Sequence, residues 1–167
     1  MIALLASRRR PSPVAIAALA ALAVAGLGLA ATDLGSWYQV LDKPWWQPPD
    51  WLFGPTWTLI YGLAALAGII AWGEAGDHAR RSRILGMFAL NGFLNVLWSE
   101  LFFGFRRPDW ALAEVAALWL SIVALMLVLG RFSRLAAWLL LPYLAWVTFA
   151  AILNLEVVRL NAPFGTP

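Results

Sequence analysis

Residues 37 to 61 read WYQVLDKPWWQPPDWLFGPTWTLIY, a stretch in which five tryptophans and four prolines lead into a long apolar run. Tryptophan and tyrosine rings carry a polar edge and gather where hydrocarbon meets water, and proline stiffens the connecting backbone. The stretch therefore predicts a rigid aromatic loop above a membrane-embedded domain.

The composition of the whole chain agrees with that interpretation. Of the 167 residues 62% are hydrophobic and only 13% are charged, with a mean hydropathy of +0.75, which predicts an integral membrane protein. The absence of cysteine excludes disulfides and thiolate chemistry, and a single histidine, His78, provides poorly for a metal site. The arginines behind the pI of about 10.0 adjoin apolar segments, so they indicate membrane topology and no nucleic-acid partner.

Five apolar runs are long enough to cross a bilayer as helices, since a span needs about 20 residues. The connecting segments are short, which predicts one all-α membrane domain over residues 1–167. The predicted spans are 14–34, 51–72, 83–103, 110–130 and 135–158, and the Trp/Pro-rich loop 35–50 is predicted to act as a lid.

Positive charge is distributed unequally between the two sides of this predicted bundle. The excess lies on the N-terminal side, which predicts a cytoplasmic N-terminus and places the lid on the opposite side. The N-terminal side holds Arg8, Arg9, Arg10, Arg80, Arg81, Arg83, Arg131 and Arg134, and the other side holds Lys43, Arg106, Arg107 and Arg159. A cleaved signal peptide ending near Leu29 to Ala31 is the alternative for the first span, although its apolar run is longer than a usual signal core.

Four of the predicted spans carry a face that combines an aromatic ring with small or polar side chains. If these faces converge, they enclose an aromatic-walled cavity suited to a flat hydrophobic ligand. The faces consist of Trp57 and Tyr61 in the second span; Asn91, Asn95, Trp98 and Phe102 in the third; Trp110, Glu114, Ala117 and Ser121 in the fourth; and Trp146, Ala150, Leu153 and Asn154 in the fifth.

Each of these residues also has a structural explanation. Asn91, Asn95 and Asn154 are the usual kind of interhelical hydrogen-bonding groups, and single tryptophans commonly serve as core or interface anchors. Glu114 and Glu156 are read as locally paired or snorkelling side chains near the span ends.

The motifs extend over nearly the whole chain in a recognisable order. They comprise Trp37, Tyr38, Leu41, Lys43, Pro44, Trp46, Pro48, Pro49, Trp51, Gly54, Pro55, Trp57 and Tyr61; then Leu94, Asn95, Trp98, Phe102, Phe103 and Gly104; then Trp110, Ala111 and Leu112; and finally Pro142, Tyr143, Leu144, Ala145, Trp146, Phe149, Ala150, Leu153, Asn154, Arg159 and Asn161. In order and spacing the chain resembles the tryptophan-rich sensory protein, or translocator protein, family, also called the peripheral-type benzodiazepine receptor family.

That resemblance implies a five-helix bundle, commonly a homodimer, with a cavity beneath the first loop. The resemblance implies that the protein requires no cofactor. It also implies porphyrins such as protoporphyrin IX or haem as ligands, together with benzodiazepine-type and isoquinoline compounds. The resemblance and the helical faces together predict a site lined by Tyr38, Trp57, Tyr61, Asn95, Trp98, Trp110, Trp146, Ala150 and Leu153.

The chain departs from the family pattern at two positions. Animal members also bind cholesterol, but Leu155 stands where their fifth-helix sterol motif has tyrosine, which argues against sterol as a partner here. Asn91 stands where family members often have glutamine.

Three functions follow as hypotheses for a protein in a bacterial membrane, surrounded by lipid. The first is a receptor or transporter that binds tetrapyrroles and modulates pigment or stress responses. The second is light-dependent porphyrin breakdown, in which Trp57 and Trp146 supply electrons. The third is a regulatory scaffold for another membrane protein.

Overall fold

A computed structural model describes residues 13 to 164, apart from the side chains of Pro13, Val14 and Ile16. Arg8, Arg9 and Arg10, which enter the orientation prediction, lie outside the described residues. The described part is all-helical. The helices are α1 (Pro13–Ala31), α2 (Ser36–Val40), α3 (Phe53–Glu74), α4 (His78–Ser99), α5 (Pro108–Leu129), α6 (Arg134–Trp138) and α7 (Leu141–Asn161), with a 3-10 turn (Asp50–Leu52) before α3 and a π-helical turn (Glu100–Gly104) after α4.

Four helical segments are long and apolar enough to cross a membrane, which agrees with the predicted class of protein. They are Asp50–Glu74, His78–Gly104, Pro108–Leu129 and Arg134–Asn161, and a shorter apolar helix covers Ala17–Ala31 within α1.

The helix ends show why two boundaries differ from the predicted spans. α4 begins five residues before the predicted span because Asp77 caps its first turn, with its carboxylate accepting a hydrogen bond from the Arg80 backbone N–H at 2.8 Å. The fifth predicted span is divided into α6 and α7, since Pro142 has no N–H and its ring prevents the regular turn from continuing. Pro142 thus lies in the first turn of α7.

The long helices form a ring, in which α1 packs against α3 and α4, α4 against α5, and α5 against α7. The aromatic loop, defined here as residues 35–50, covers the end of the bundle where α4 and α7 end and α3 and α5 begin. Three buried clusters are stacked along the bundle axis. They are centred on Tyr38 and Phe102 beneath the aromatic loop, on Ile122 and Val147 in the middle, and on Ala71 and Leu129 at the far end.

The first helix packs through small residues. A Cβ atom at Gly92 of α4 would lie 2.8 Å from Val24 Cγ2 of α1, closer than carbon atoms pack, so a larger residue at this crossing would force Val24 or α1 to shift. The outer half of α1 is exposed, with Leu22 and Leu29 among its uncovered side chains.

Candidate functional site

The aromatic loop is held together by the buried side chain of Tyr38. Its hydroxyl donates to Asp50 Oδ1 at 3.2 Å and accepts from Gln47 Nε2 at 3.1 Å. Lys43 Nζ donates to the Tyr38 carbonyl at 2.6 Å and lies 4.4 Å from the centre of the Tyr38 ring. Burial, together with the negative charge of Asp50, raises the pKa of Tyr38 to about 12. Tyr38 is therefore a neutral structural group of the loop at physiological pH.

Asn161, the last residue of α7, fastens the aromatic loop to the bundle. Its Oδ1 accepts from the Asp42 backbone N–H, and its Nδ2 donates to the Asp42 carbonyl, both at 2.8 Å. The same Nδ2 also donates to the Val157 carbonyl of its own helix at 2.8 Å. A paired amide of this kind restrains the middle of a loop that crosses the opening of the bundle.

Aromatic rings fill the space directly beneath the loop. Trp37 meets Phe102 edge to face at 6.2 Å between ring centres. On the other side of the bundle Trp146 meets Phe53 at 5.6 Å and Phe149 at 5.4 Å. Such contacts add about 0.5 to 1.5 kcal/mol each beyond the burial of the rings. Aromatic contacts therefore join the loop to the bundle on two sides, through Trp37 and Phe102 on one and through Trp46 and Phe149 on the other.

Trp57 and Tyr61 form the next layer down, on α3. Their rings stack with centres 5.2 Å apart and planes 25° from parallel, and Trp57 also meets Tyr143 edge to face at 6.1 Å. The prediction that Trp57 and Tyr61 share one helix face therefore agrees with the geometry.

A chain of buried hydrogen bonds crosses the middle of the bundle. The Tyr61 hydroxyl donates to Asn95 Oδ1 at 2.7 Å, Asn95 Nδ2 donates to the Tyr143 hydroxyl at 3.1 Å, and that hydroxyl donates to Asn91 Oδ1 at 3.2 Å. Asn91 Nδ2 then donates to Ser121 Oγ at 2.8 Å. This polar chain joins α3, α4, α5 and α7, and it satisfies amides that would otherwise be costly inside hydrocarbon.

Asn154 makes a separate link between α7 and α5. It is buried, and in the amide orientation that satisfies both groups its Nδ2 donates to the Pro108 carbonyl at 3.1 Å while its Oδ1 accepts from the Leu112 N–H at 3.0 Å. All three intramembrane asparagines thus make interhelical hydrogen bonds.

A cavity of about 430 Å³ lies between α1, α3 and α4, with the polar chain along one side. Tyr61, Asn91 and Tyr143 supply its few polar atoms, and apolar and small side chains such as Val24, Gly68, Ile69, Trp72 and Phe88 supply the rest. The volume and chemistry are those of a site for a drug-sized, mainly apolar molecule.

Exposed side chains of α1 and α4 form the mouth of this cavity. Leu27 of α1 is 58% exposed, and Leu85 and Phe93 of α4 are 48% and 62% exposed, although all three line the cavity. The cavity therefore opens on the side of the bundle, between α1 and α4.

The predicted site residues fall into four groups. Tyr61 lines the cavity, and Trp57 and Asn95 contact Tyr61 directly. Tyr38, Trp98 and Trp146 belong to the aromatic layers above it, and on α7 Leu153 is buried and Ala150 is partly buried. Trp110 is 50% exposed at the start of α5, where the Arg107 guanidinium lies 4.2 Å from its ring, so the structure places it at the surface and away from the cavity.

The cavity wall formed by α1 does not follow from the sequence patterns. Ala17, Ala21 and Val24 line it, and only the unusual density of alanine and glycine in this helix hints at a role. Among the described residues no group of His, Cys, Asp and Glu side chains has the arrangement of a metal site.

Fold and cavity together define a class: a multi-pass helical membrane protein with an apolar cavity bordered by tyrosine, asparagine and tryptophan. Within that class the match is specific, since residues 14–160 match the TspO/MBR family, and the chain belongs to that family. It is 40% identical over 147 residues to the tryptophan-rich protein TspO of Archaeoglobus fulgidus. The aligned region covers 88% of this chain and 94% of the relative.

Relatives from other groups of organisms match as well. The tryptophan-rich sensory protein of Cereibacter sphaeroides is 40% identical over 126 residues, 75% of this chain and 77% of its own length. The human translocator protein is 36% identical over 126 residues, 75% of each chain.

Proposed function

We propose that this protein is a membrane receptor or transporter for porphyrins and related flat, hydrophobic tetrapyrroles. The observation that carries the proposal is the apolar cavity between α1, α3 and α4, which is lined by Tyr61 and Trp72, with the Trp57 ring stacked on Tyr61. A flat macrocycle lies well against ring faces, and its apolar surface suits a cavity with few polar atoms.

In the proposed complex the macrocycle enters from the bilayer through the mouth between α1 and α4. Its inner edge meets the polar chain at Tyr61 and Tyr143, which supplies hydroxyl groups for orientation. Trp146 and the aromatic loop close the end of the bundle above it. The polar chain holds α3, α4, α5 and α7 together while α1 adjusts to the ligand.

We also infer that α1 is a fifth span, because its 19 residues, Pro13–Ala31, are all apolar and the helix runs alongside α3 and α4. The aromatic loop then acts as a lid on the side opposite a cytoplasmic N-terminus. Since the chain has no cysteine, a single cysteine at the exposed Trp45 tests the side with a membrane-impermeant maleimide. The cysteine is expected to be labelled in intact cells. Labelling only after lysis would show that the protein has the opposite orientation.

The experiment that tests ligand binding is a titration with protoporphyrin IX, followed by the Soret absorbance of the porphyrin. This readout does not depend on which tryptophans remain. The Trp57→Phe, Trp146→Phe double variant is expected to bind about ten times more weakly, because it replaces two indoles of the aromatic layers.

The matched control replaces two exposed tryptophans, Trp51→Phe and Trp138→Phe, which are 71% and 66% exposed. It is expected to bind like the unchanged protein. If both double variants bind alike, the assignment of the site is wrong, and if the unchanged protein does not bind porphyrin, the proposed ligand is wrong.

A further inference from the structure

The far end of the cavity, opposite the aromatic loop, is bordered by Trp72 and Arg81. Trp72 is the last residue of α3 that lines the cavity before the chain turns into α4. The Arg81 guanidinium, in the first turn of α4, lies 5.6 Å from the centre of the Trp72 ring. Arg81 precedes the cavity-lining residues Ile84 and Leu85 by three and four positions, so it shares their face of α4. The apolar cavity therefore ends beside a positive charge.

The hydrogen bonding of Arg81 leaves part of its guanidinium free. Its Nε donates to the Ala75 carbonyl at 3.0 Å, which holds the side chain across the short connection between α3 and α4. Neither of its terminal nitrogens has a hydrogen-bond partner among the described residues. The N–H groups of two terminal guanidinium nitrogens match the two oxygens of a carboxylate, so Arg81 offers a place for such a group.

The acidic side chains near Arg81 do not neutralise its charge. Asp77 pairs with Arg80 at 3.1 Å, and Glu74 makes no ion pair within the described residues. Arg83, on the same helix, is exposed to water, whereas Arg81 is partly buried. Among the described arginines, Arg81 is the one that combines partial burial, an aromatic neighbour and the lack of an acidic partner. A cation in such surroundings favours an anionic ligand.

We propose that Arg81 binds a carboxylate of the ligand, so that the cavity selects flat, apolar molecules with an acidic group at one edge. The apolar body lies between α1, α3 and α4, and the carboxylate reaches past Trp72 to the terminal nitrogens of Arg81. This inference rests on the proposed function, because it takes the same cavity as the ligand site. It narrows the ligand class to tetrapyrroles with free carboxylates, such as the propionates of protoporphyrin IX.

A pair of probes that differ in one group tests the role of Arg81 without a porphyrin. Pyrenebutyric acid and its methyl ester share a flat, apolar body, and only the acid is negatively charged at neutral pH. Each probe is titrated at the same concentration of a non-ionic detergent, and energy transfer from tryptophan to pyrene reports binding. If the unchanged protein does not bind the acid, the proposal is overturned.

The decisive variant is Arg81→Gln, which removes the charge and keeps a polar side chain. It is expected to bind the acid about ten times more weakly and the ester as before, because only the acid loses charge-assisted hydrogen bonds. Unchanged binding of the ester shows that the cavity is intact. If Arg81→Gln binds the acid normally, or if both probes bind more weakly to the same extent, Arg81 does not select the carboxylate and the proposal is wrong.

The matched control is Arg83→Gln, which removes the same charge from an exposed position of the same helix. It is expected to bind both probes like the unchanged protein, and a loss equal to that of Arg81→Gln would contradict a specific site. Phosphatidylglycerol and phosphatidylcholine are added as competitors. Displacement of the acid by phosphatidylglycerol alone would assign Arg81 to a lipid head group and overturn the proposal.

Titration with protoporphyrin IX separates this inference from the proposed function. If protoporphyrin IX does not bind while pyrenebutyric acid binds through Arg81, the porphyrin proposal fails and the role of Arg81 stands. If protoporphyrin IX binds equally well to the unchanged protein and to Arg81→Gln, the porphyrin proposal stands and the role of Arg81 fails.

Discussion

The two halves of the bundle are built differently. On the side of α4, α5 and α7 the contacts are large buried side chains such as Ile122 and Val147, together with interhelical hydrogen bonds from Asn91 and Asn154. On the side of α1 the contacts are alanines, glycines and Val24, and a cavity remains open between α1 and α4. The comparison shows that one half holds the shape of the bundle while small side chains in the other leave room for a ligand.

The largest expected effect comes from filling the open half. Ala65→Trp places an indole in the cavity from α3, and protoporphyrin IX affinity is expected to fall about 100-fold or more, since the ring and the ligand cannot share the volume. The thermal unfolding temperature is expected to stay the same or rise, because the void is filled. The control is Ala113→Trp on the exposed face of α5. If Ala65→Trp binds porphyrin normally, the ligand does not use this cavity.

A second prediction concerns the rigid half. Asn95→Leu removes the acceptor of Tyr61 and the donor to Tyr143, which leaves both hydroxyls short of a partner. The loss is expected to cost about 1 to 2 kcal/mol and to lower the unfolding temperature by about 4 °C. Thermal unfolding in detergent measures it. Thr58→Val, at an exposed residue that bonds only within its own helix, is expected to change the temperature little. Equal effects of the two variants would contradict a special role for the polar chain.

A third, smaller effect is expected where the halves meet. Gly92→Ala puts a methyl group 2.8 Å from Val24 Cγ2 and forces α1 away from α4, whereas Val24→Ala makes room for it. A double-mutant cycle is expected to give a favourable coupling of about 1 kcal/mol between the two changes. Additive effects would show that α1 does not pack against α4 at this point.

The smallest global effect is expected from releasing the aromatic loop. Asn161→Ala removes both hydrogen bonds to Asp42 while the core remains packed. Amide hydrogen exchange at Asp42 is expected to become about ten times faster, with the unfolding temperature changed by no more than about 1 °C. Gln39→Ala is the control, because its side chain bonds only to the Leu34 carbonyl, within the same loop region. Unchanged exchange at Asp42 would mean that Asn161 does not hold the loop.

The difference between the halves also decides what the sequence could predict. Trp57, Tyr61, Asn91 and Asn95 show their shared faces through helical spacing, so that part of the arrangement follows from the chain alone. The cavity does not, because it depends on how far α1 stands from its neighbours, and alanine and glycine allow several distances. Trp110 has the spacing of an inward residue, but its position in the first turn beside Arg107 turns it toward the surface.

The burial of Glu114 without a hydrogen-bond partner among the described residues likewise needs the three-dimensional structure to be seen. On the sequence alone Glu114 is one more acidic residue near a helix start, for which local pairing is the ordinary explanation. The hydrogen bond from Asn91 to Ser121 sets the alignment of α4 and α5, and only then does the lack of a partner become visible.

The porphyrin is proposed to lie in the cavity between α1, α3 and α4. Fluorine NMR of protein labelled with 5-fluorotryptophan tests it directly, because a bound macrocycle shifts the signals of nearby indoles, and each signal can be assigned by a Trp→Phe variant. With protoporphyrin IX the signals of Trp57 and Trp72 are expected to shift, while those of the exposed Trp45 and Trp138 stay in place. Shifts confined to Trp45 and Trp138 would contradict the account.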